Sequence, residues 1–204
     1  MDLRRILESP AVYQKFQELG GFFGARLKAM MAYMPPLPDG STVFDIGCGP
    51  GHIVEHLGKV NYHGFDVAPD YIEFAQRTFG HLGTFHLRQF DATAVVEFGK
   101  ARAVMMNALI HHLSDEQAVS LFRTVRDSLE DEGFVFTLDG CLREGQHPFA
   151  RWMHTHDRGE FVRTEEGYRR ILEQVFPRVT MHIREDLSWV PHTYCVTVCH
   201  LANR

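Results

Sequence analysis

Apolar and polar positions repeat along this chain with two different periods, and the switches between them divide it into units. Short apolar-rich runs at Thr42 to Ile46, Tyr62 to Asp66 and Ala103 to Asn107 read as buried strands, and Thr84 to Phe90 alternates as a further strand. Helical stripes lie between them. Gly51 to Leu57 turns Ile53, Val54 and Leu57 inward. Pro69 opens a helix with Ile72, Ala75 and Phe79 on one face, and Gly80 can end it. Ser114-Asp115-Glu116-Gln117 is a capping box, followed by Ala118, Leu121, Phe122, Val125 and Leu129 on one stripe. Asp131-Glu132-Gly133 turns into a fifth strand, Phe134 to Asp139. Residues 140–163 are irregular, with a helix around Phe149 to Thr155. Thr164 caps a helix bearing Tyr168, Ile171, Leu172 and Val175. Arg178 to Arg184 and Tyr194 to His200 alternate as a half-exposed antiparallel pair.

Repeated strand–helix units predict an α/β fold with a mainly parallel sheet, right-handed crossovers and helices on both faces. Residues 1–40 stand apart as a helical appendage. Val12, Phe16 and Leu19 share a face, Gly20-Gly21 interrupts, and Phe22, Phe23, Leu27, Met30, Met31 and Met34 follow, before the stiff connector Pro35-Pro36-Leu37-Pro38-Asp39-Gly40. The appendage either packs over the core or serves as a lid. Residues 41–204 form the main domain, with a cap-like insertion expected at about 140–163.

In such a sheet the ligand crevice lies outside the carboxyl ends of the strands. Asp45, Asp66, Asp91, Asn107 and Asp139 all fall at those ends or just past them. Five polar side chains there would otherwise be desolvated at a cost. After the first strand comes Gly47-Cys48-Gly49-Pro50-Gly51. Three glycines in five residues let a backbone adopt left-handed turns and approach a ligand closely. The spacing is not the G-x-G-x-x-G of a dinucleotide site. Asp66 lies about 20 residues on, where a carboxylate can take both ribose hydroxyls.

Asp45-Ile46-Gly47-Cys48-Gly49-Pro50-Gly51, then Gly64-Phe65-Asp66, Phe90-Asp91-Ala92 and Asn107-Ala108-Leu109-Ile110-His111-His112-Leu113 closely resemble the successive motifs of class I S-adenosylmethionine-dependent methyltransferases. The resemblance covers residues 41–140. It implies a Rossmann-like, seven-stranded, mostly parallel sheet with its last strand antiparallel. It implies S-adenosylmethionine as cofactor and S-adenosylhomocysteine as product. Gly47, Cys48, Gly49 and Gly51 would face the amino-acid portion of the cofactor, Asp45 its ammonium, and Asn107 its methionine portion. Asp66 would hold the ribose and Asp91 with Ala92 the adenine, flanked by Phe65 and Val67.

On the acceptor side, His111 lies one helical turn past Asn107, if that segment is helical, and histidine suits a general base near neutral pH. His112 would point elsewhere. Asp139 would orient a histidine or hydrogen-bond the acceptor. The pattern resembles small-molecule methyltransferases, including some that act on sugar hydroxyls. His156, Arg158 and Arg163 in the insertion are candidate substrate contacts, the arginines for a carboxylate or phosphate. No HExxH spacing appears, and Asp139-Gly140 stands where catechol-type enzymes need Asp-Asn, so no metal is expected.

Composition adds bounds. A net charge of −5 over 204 residues with mixed signs argues against a duplex nucleic-acid binder. Four scattered cysteines without a CxxC pair fit reduced thiols and a cytoplasmic protein. No signal peptide is recognisable, and no run approaches the roughly 18 apolar residues of a membrane span. The expected partner is a small-molecule acceptor, for a monomer or homodimer. RNA or protein methylation and a non-catalytic cofactor-binding scaffold are the alternatives.

Overall fold

The computed structural model describes residues 21–156 and 159–202; the expectations for residues 3–20 and for Arg158 lie outside them. The sheet contains β1 (Thr42–Ile46), β2 (Asn61–Asp66), β3 (Thr84–Leu87), β4 (Ala101–Asn107), β5 (Leu129–Leu142), β7 (Arg178–Arg184) and β8 (Tyr194–His200), with the two-residue β6 (Arg163–Thr164) beside β5. Their order is β3-β2-β1-β4-β5-β8-β7. β8 runs antiparallel to both neighbours, and the other pairings are parallel. The Rossmann-like sheet with an antiparallel last strand is therefore what forms.

Among the described residues six helices accompany the strands: α1 (Phe22–Tyr33), α2 (Pro69–Phe79), α3 (Ala92–Phe98), α4 (Asp115–Asp127), α5 (Pro148–Thr155) and α6 (Glu165–Leu172). Two apolar cores cover the sheet. Phe44, Met106 and Val135 enter one, with Phe122, Val125 and Ile171 from α4 and α6. Val43, Met105, Phe134 and Phe136 enter the other, with Ala25 and Ala29 of α1 and Ile72, Ala75 and Phe79 of α2. Neighbours such as Val43 and Phe44 point to opposite cores because strand side chains alternate. Each large side chain so buried contributes about 1.5–3 kcal/mol. The capping box of α4 is formed: Ser114 Oγ accepts from Gln117 N at 3.3 Å, and Gln117 Oε1 accepts from Ser114 N at 2.9 Å.

Four local readings change. The expected helix over Gly51 to Leu57 is a 3₁₀ helix, His52–His56, held between two left-handed glycines, Gly51 and Gly58. β3 stops at Leu87, not Phe90, and Asp91 caps α3, a helix the apolar pattern did not reveal. The turn at Asp131-Glu132-Gly133 is absorbed into β5 as an irregularity, where the β4–β5 register shifts between Ala101 and Ala103. The connection from Asn107 to α4 holds only a three-residue 3₁₀ turn, Ile110–His112.

Candidate active site

The glycine loop is built from β1 and fastened to β2. Gly47 N and Cys48 N both donate to Phe65 O, at 2.8 and 3.1 Å. Gly47, Gly49 and Gly51 take φ of 72°, 56° and 81°, a region that favours glycine. Two of these glycines do different jobs. A Cβ on Gly51 would lie 2.6 Å from Phe85 Cε1 and 3.1 Å from Ala75 Cβ, so Gly51 serves internal packing. A Cβ on Gly49 would meet no protein atom within 4 Å. The bare backbone at Gly49 therefore faces open space. Asp66 ties the loop down, its Oδ2 accepting from Gly49 N and its Oδ1 from Ala68 N, both at 2.9 Å.

Beside this loop lies a cleft lined by Asp45, Gly47, Cys48 and Asn107, with Phe23 and Arg26 of α1 on its other side. Asp45 is 2% exposed. Its Oδ2 accepts from the Tyr62 hydroxyl at 2.8 Å, while its Oδ1 and Asn107 Oδ1 are buried without a hydrogen bond among the described residues. Burial pushes the Asp45 carboxyl up to about 6, against the Tyr62 hydrogen bond and the charge of Arg26. Two acceptors without partners plus a guanidinium suit a ligand carrying both an ammonium and a carboxylate. The amino-acid end of S-adenosylmethionine has both.

Farther along the strand ends, a histidine and a carboxylate are locked together. Asp139 Oδ1 accepts from His111 N at 3.1 Å and lies 2.7 Å from His111 Nδ1. Both residues are buried. With Nδ1 as the donor to Asp139, Nε2 carries the ring's lone pair. Ala108, just before this turn, has φ 56°, an uncommon conformation for alanine that marks local constraint.

Residues 43–133 match a family model described as a methyltransferase domain. The phosphoethanolamine N-methyltransferase 1 of Zea mays is 25% identical over 130 residues, 60% of this chain and 26% of that protein. The tRNA (carboxymethyluridine(34)-5-O)-methyltransferase ALKBH8 of Macaca fascicularis is 24% identical over 196 residues, 91% of this chain and 28% of that protein. This chain thus spans about a quarter of the length of these curated relatives. Among solved structures, human N-acetylserotonin methyltransferase in complex with S-adenosylmethionine superimposes with a TM-score of 0.67, at 13% identity, over 95% of this chain and 55% of that one.

Residues 43–133 are similar to a methyltransferase domain, and the sheet shares its fold with solved methyltransferases.

Set in this fold, the remaining candidate residues divide. Asp45, Gly47, Cys48 and Asn107 line one cleft, and Gly49, Gly51 and Asp66 complete its loop. Cys48 is a packing residue of the loop: burial holds its thiol well above the ordinary range, which leaves it unsuited as a nucleophile. Asp91 is exposed, and its Oδ1 accepts from Thr93 N and Ala94 N at 2.9 and 3.1 Å. Those bonds hold its carboxyl below the usual range, with the Thr93 side chain the leading cause. Ala92 is the first residue of α3. Val67 is 62% exposed beside Asp66.

Phe65 is corrected. Its ring is 1% exposed and packs on Phe44, Phe90, His86 and Phe98, so it belongs to the core and not to an adenine platform. Arg163 is also corrected as a substrate contact. It is 8% exposed, and its guanidinium is engaged by Asp115 Oδ1 at 2.8 Å and by the carbonyls of Ile110, Phe161 and Leu113 at 3.1, 3.0 and 2.6 Å. His156 ends α5 on the surface, stacked on Trp152 at 5.0 Å. His112 is exposed, with its ring 4.2 Å from that of His111.

Sequence reasoning missed Phe23 and Arg26, because helical spacing assigned α1 to packing and gave no sign of which face meets the cleft. It also missed the pairing of His154 with His192. Their rings lie 4.3 Å apart, and a Cβ on Gly140 would sit 2.8 Å from His154. Gly140, next to Asp139, is thus the seat for His154. Burial drives His192 down to about 3, with the nearby His154 and His111 adding to the effect, so it is neutral near neutral pH.

Proposed function

We propose that the chain transfers a methyl group from S-adenosylmethionine to a hydroxyl oxygen of a small molecule, such as a sugar or a secondary metabolite. The observation that carries this is the buried His111–Asp139 pair, 2.7 Å between Nδ1 and Oδ1, with His111 four residues beyond Asn107 of the cleft that fits an amino-acid group. An amine acceptor needs no such base if it arrives neutral; a hydroxyl does.

In this reading Asp45 and Asn107 take the cofactor's ammonium, and Arg26 takes its carboxylate. Asp66 keeps acceptor capacity beyond its two loop bonds and receives the ribose hydroxyls. Asp91 and Ala92 meet the adenine edge, and Val67 covers its face. The cofactor, when bound, supplies a methyl group activated by a sulfonium. His111 would accept the proton of the acceptor hydroxyl on Nε2. Asp139 holds the tautomer and offsets the charge of the imidazolium. Four free cysteines favour a cytoplasmic setting.

One observation favours a second reading, an RNA acceptor: the tRNA-methylating relative aligns over 91% of the chain. The net charge of −5 weighs against it, because nucleic-acid affinity rests on clustered cations. A labelled-methyl transfer screen with the full chain tests both. Label is expected on glycosides or hydroxylated metabolites and absent from tRNA. Label on tRNA alone, or on amines alone, overturns the small-molecule hydroxyl reading.

A further inference from the structure

The turn that carries His111 has little to hold itself in shape. Within it, His112 N donates to Leu109 O at 3.0 Å and Leu113 N to Ile110 O at 3.1 Å. A three-residue 3₁₀ turn with two such bonds is a weak element. Its other polar groups are gripped from outside. Asp139 takes the His111 N–H and ring Nδ1, and Phe161 N donates to His111 O at 3.0 Å. Arg163 takes the carbonyls of Ile110 and Leu113, one on each side of the two histidines, and joins them through Nε to Asp115 at the start of α4.

Arg163 is itself fixed by the strand that carries Asp139. It lies in β6, paired with Cys141 of β5, two residues beyond Asp139. The ring of Tyr168 lies 5.8 Å from its guanidinium carbon. Gly159 supplies another contact from the same segment, since a Cβ there would run into the His111 ring. Burying a guanidinium costs free energy unless its donors are paired. Here the cation is spent on one carboxylate and three carbonyls. A planar fork of five donors can span two carbonyls and a carboxylate in one plane; a lysine ammonium has three donors around a point.

We infer that Arg163 is a positioning residue for His111: bridging Ile110 O, Leu113 O and Asp115, it locks the turn so that the His111 ring stays on Asp139. The inference rests on His111 being the base of the proposed transfer, but its test does not. A brace that serves only the fold would lower stability and leave the His111–Asp139 hydrogen bond intact in whatever protein remained folded. A positioning residue changes that bond in a folded protein.

The experiment uses the full chain with nitrogen-labelled histidine, as wild type, Arg163→Lys and Arg163→Ala. The His111 Nδ1 proton held by a carboxylate should resonate far downfield; Asp139→Asn identifies it by its loss. S-adenosylhomocysteine binding by calorimetry and thermal unfolding are read in parallel. The expected result is that Arg163→Lys binds S-adenosylhomocysteine as wild type does, yet loses the downfield resonance to exchange with water. Arg163→Ala, where folded, loses it too, and added guanidinium restores it. An unchanged resonance in folded Arg163→Lys overturns the inference, even if Arg163→Ala fails to fold. Failure of the wild type to bind S-adenosylhomocysteine would instead overturn the methyltransferase reading and leave the His111 result to stand by itself.

Discussion

Asp139 holds His111 at two points with one oxygen: Oδ1 meets ring Nδ1 at 2.7 Å and the backbone N–H at 3.1 Å. The second bond fixes where the residue sits, and the first fixes how its ring turns. Asp139 Oδ2 is buried and makes no hydrogen bond among the described residues, so the carboxylate's reach is spent on one partner. Two contacts through one oxygen leave the ring little freedom, which is what a general base would need if reorganisation is not to raise the barrier.

The first prediction follows from that pair. His111→Gln should lower methyl transfer by about 10²–10⁴, the usual contribution of general-base catalysis. Affinity for S-adenosylhomocysteine should stay as in wild type, because His111 is not among the residues lining the cleft. Single-turnover transfer of labelled methyl, with calorimetry alongside, checks both. Equal transfer by the variant means the proton leaves by another route.

Gly49 and Gly51 should separate binding from folding. Gly51→Ala forces a Cβ into Phe85 and Ala75, and thermal unfolding should show a large loss of stability. Gly49→Ala meets no protein atom within 4 Å. Its cost to the fold should be only about 1–2 kcal/mol, that of a left-handed alanine. Its new methyl group faces the open side of the loop, so cofactor affinity should fall well beyond the stability change. Equal effects of the two variants would mean that Gly49 does not face the ligand.

Asp66→Ala should weaken cofactor binding by about 1.5–3 kcal/mol, the scale of hydrogen bonds to a charged group. It should also loosen the loop, since Gly49 N and Ala68 N both lose their acceptor. Asp66→Asn keeps one acceptor oxygen and should recover part of both effects. Unaltered affinity in Asp66→Ala contradicts the ribose assignment.

Two buried groups give opposite pH dependences. Burial raises Asp45 from 3.8 to about 6. The folded state therefore holds a proton that the unfolded state has lost, and this group's stability contribution is full below about 4 and disappears as pH rises through 6. His192 is lowered from 6.5 to about 3. Its contribution is present above 6.5 and is lost as pH falls from there toward 3. Asp45→Asn should steepen acid destabilisation between pH 4 and 6, and a folded His192→Phe should reduce it below 6.5; urea titrations across that range check the signs. Cofactor binding should follow the Asp45 carboxylate, weakening as pH falls below 6 in wild type but not in Asp45→Asn.

The parallel core and the glycine loop were legible because each carries a local signal. Apolar runs of five residues separated by capped amphipathic helices leave few other folds, and the spacing of Asp45, the glycines and Asp66 follows from adjacent strands ending at one crevice. Phe65 misled because a residue next to Asp66 alternates to the far face of β2, a fact of register that composition does not show. Arg163 misled because an arginine amid a polar segment looks the same whether it meets solvent, a ligand or two carbonyls of a turn some fifty residues away. The His154–His192 contact joins α5 to the approach to β8, and no local pattern links those positions. Whatever depended on long-range side-chain pairing stayed hidden.

The most direct measurement of the central claim is calorimetry of the full chain with S-adenosylmethionine and S-adenosylhomocysteine at neutral pH, repeated with Arg26→Ala and Asp66→Ala. Saturable one-to-one binding of both ligands is predicted, weakened by each substitution in protein that still unfolds cooperatively. No binding of either ligand by folded wild type, or binding that both substitutions leave unchanged, would contradict the assignment of the cleft.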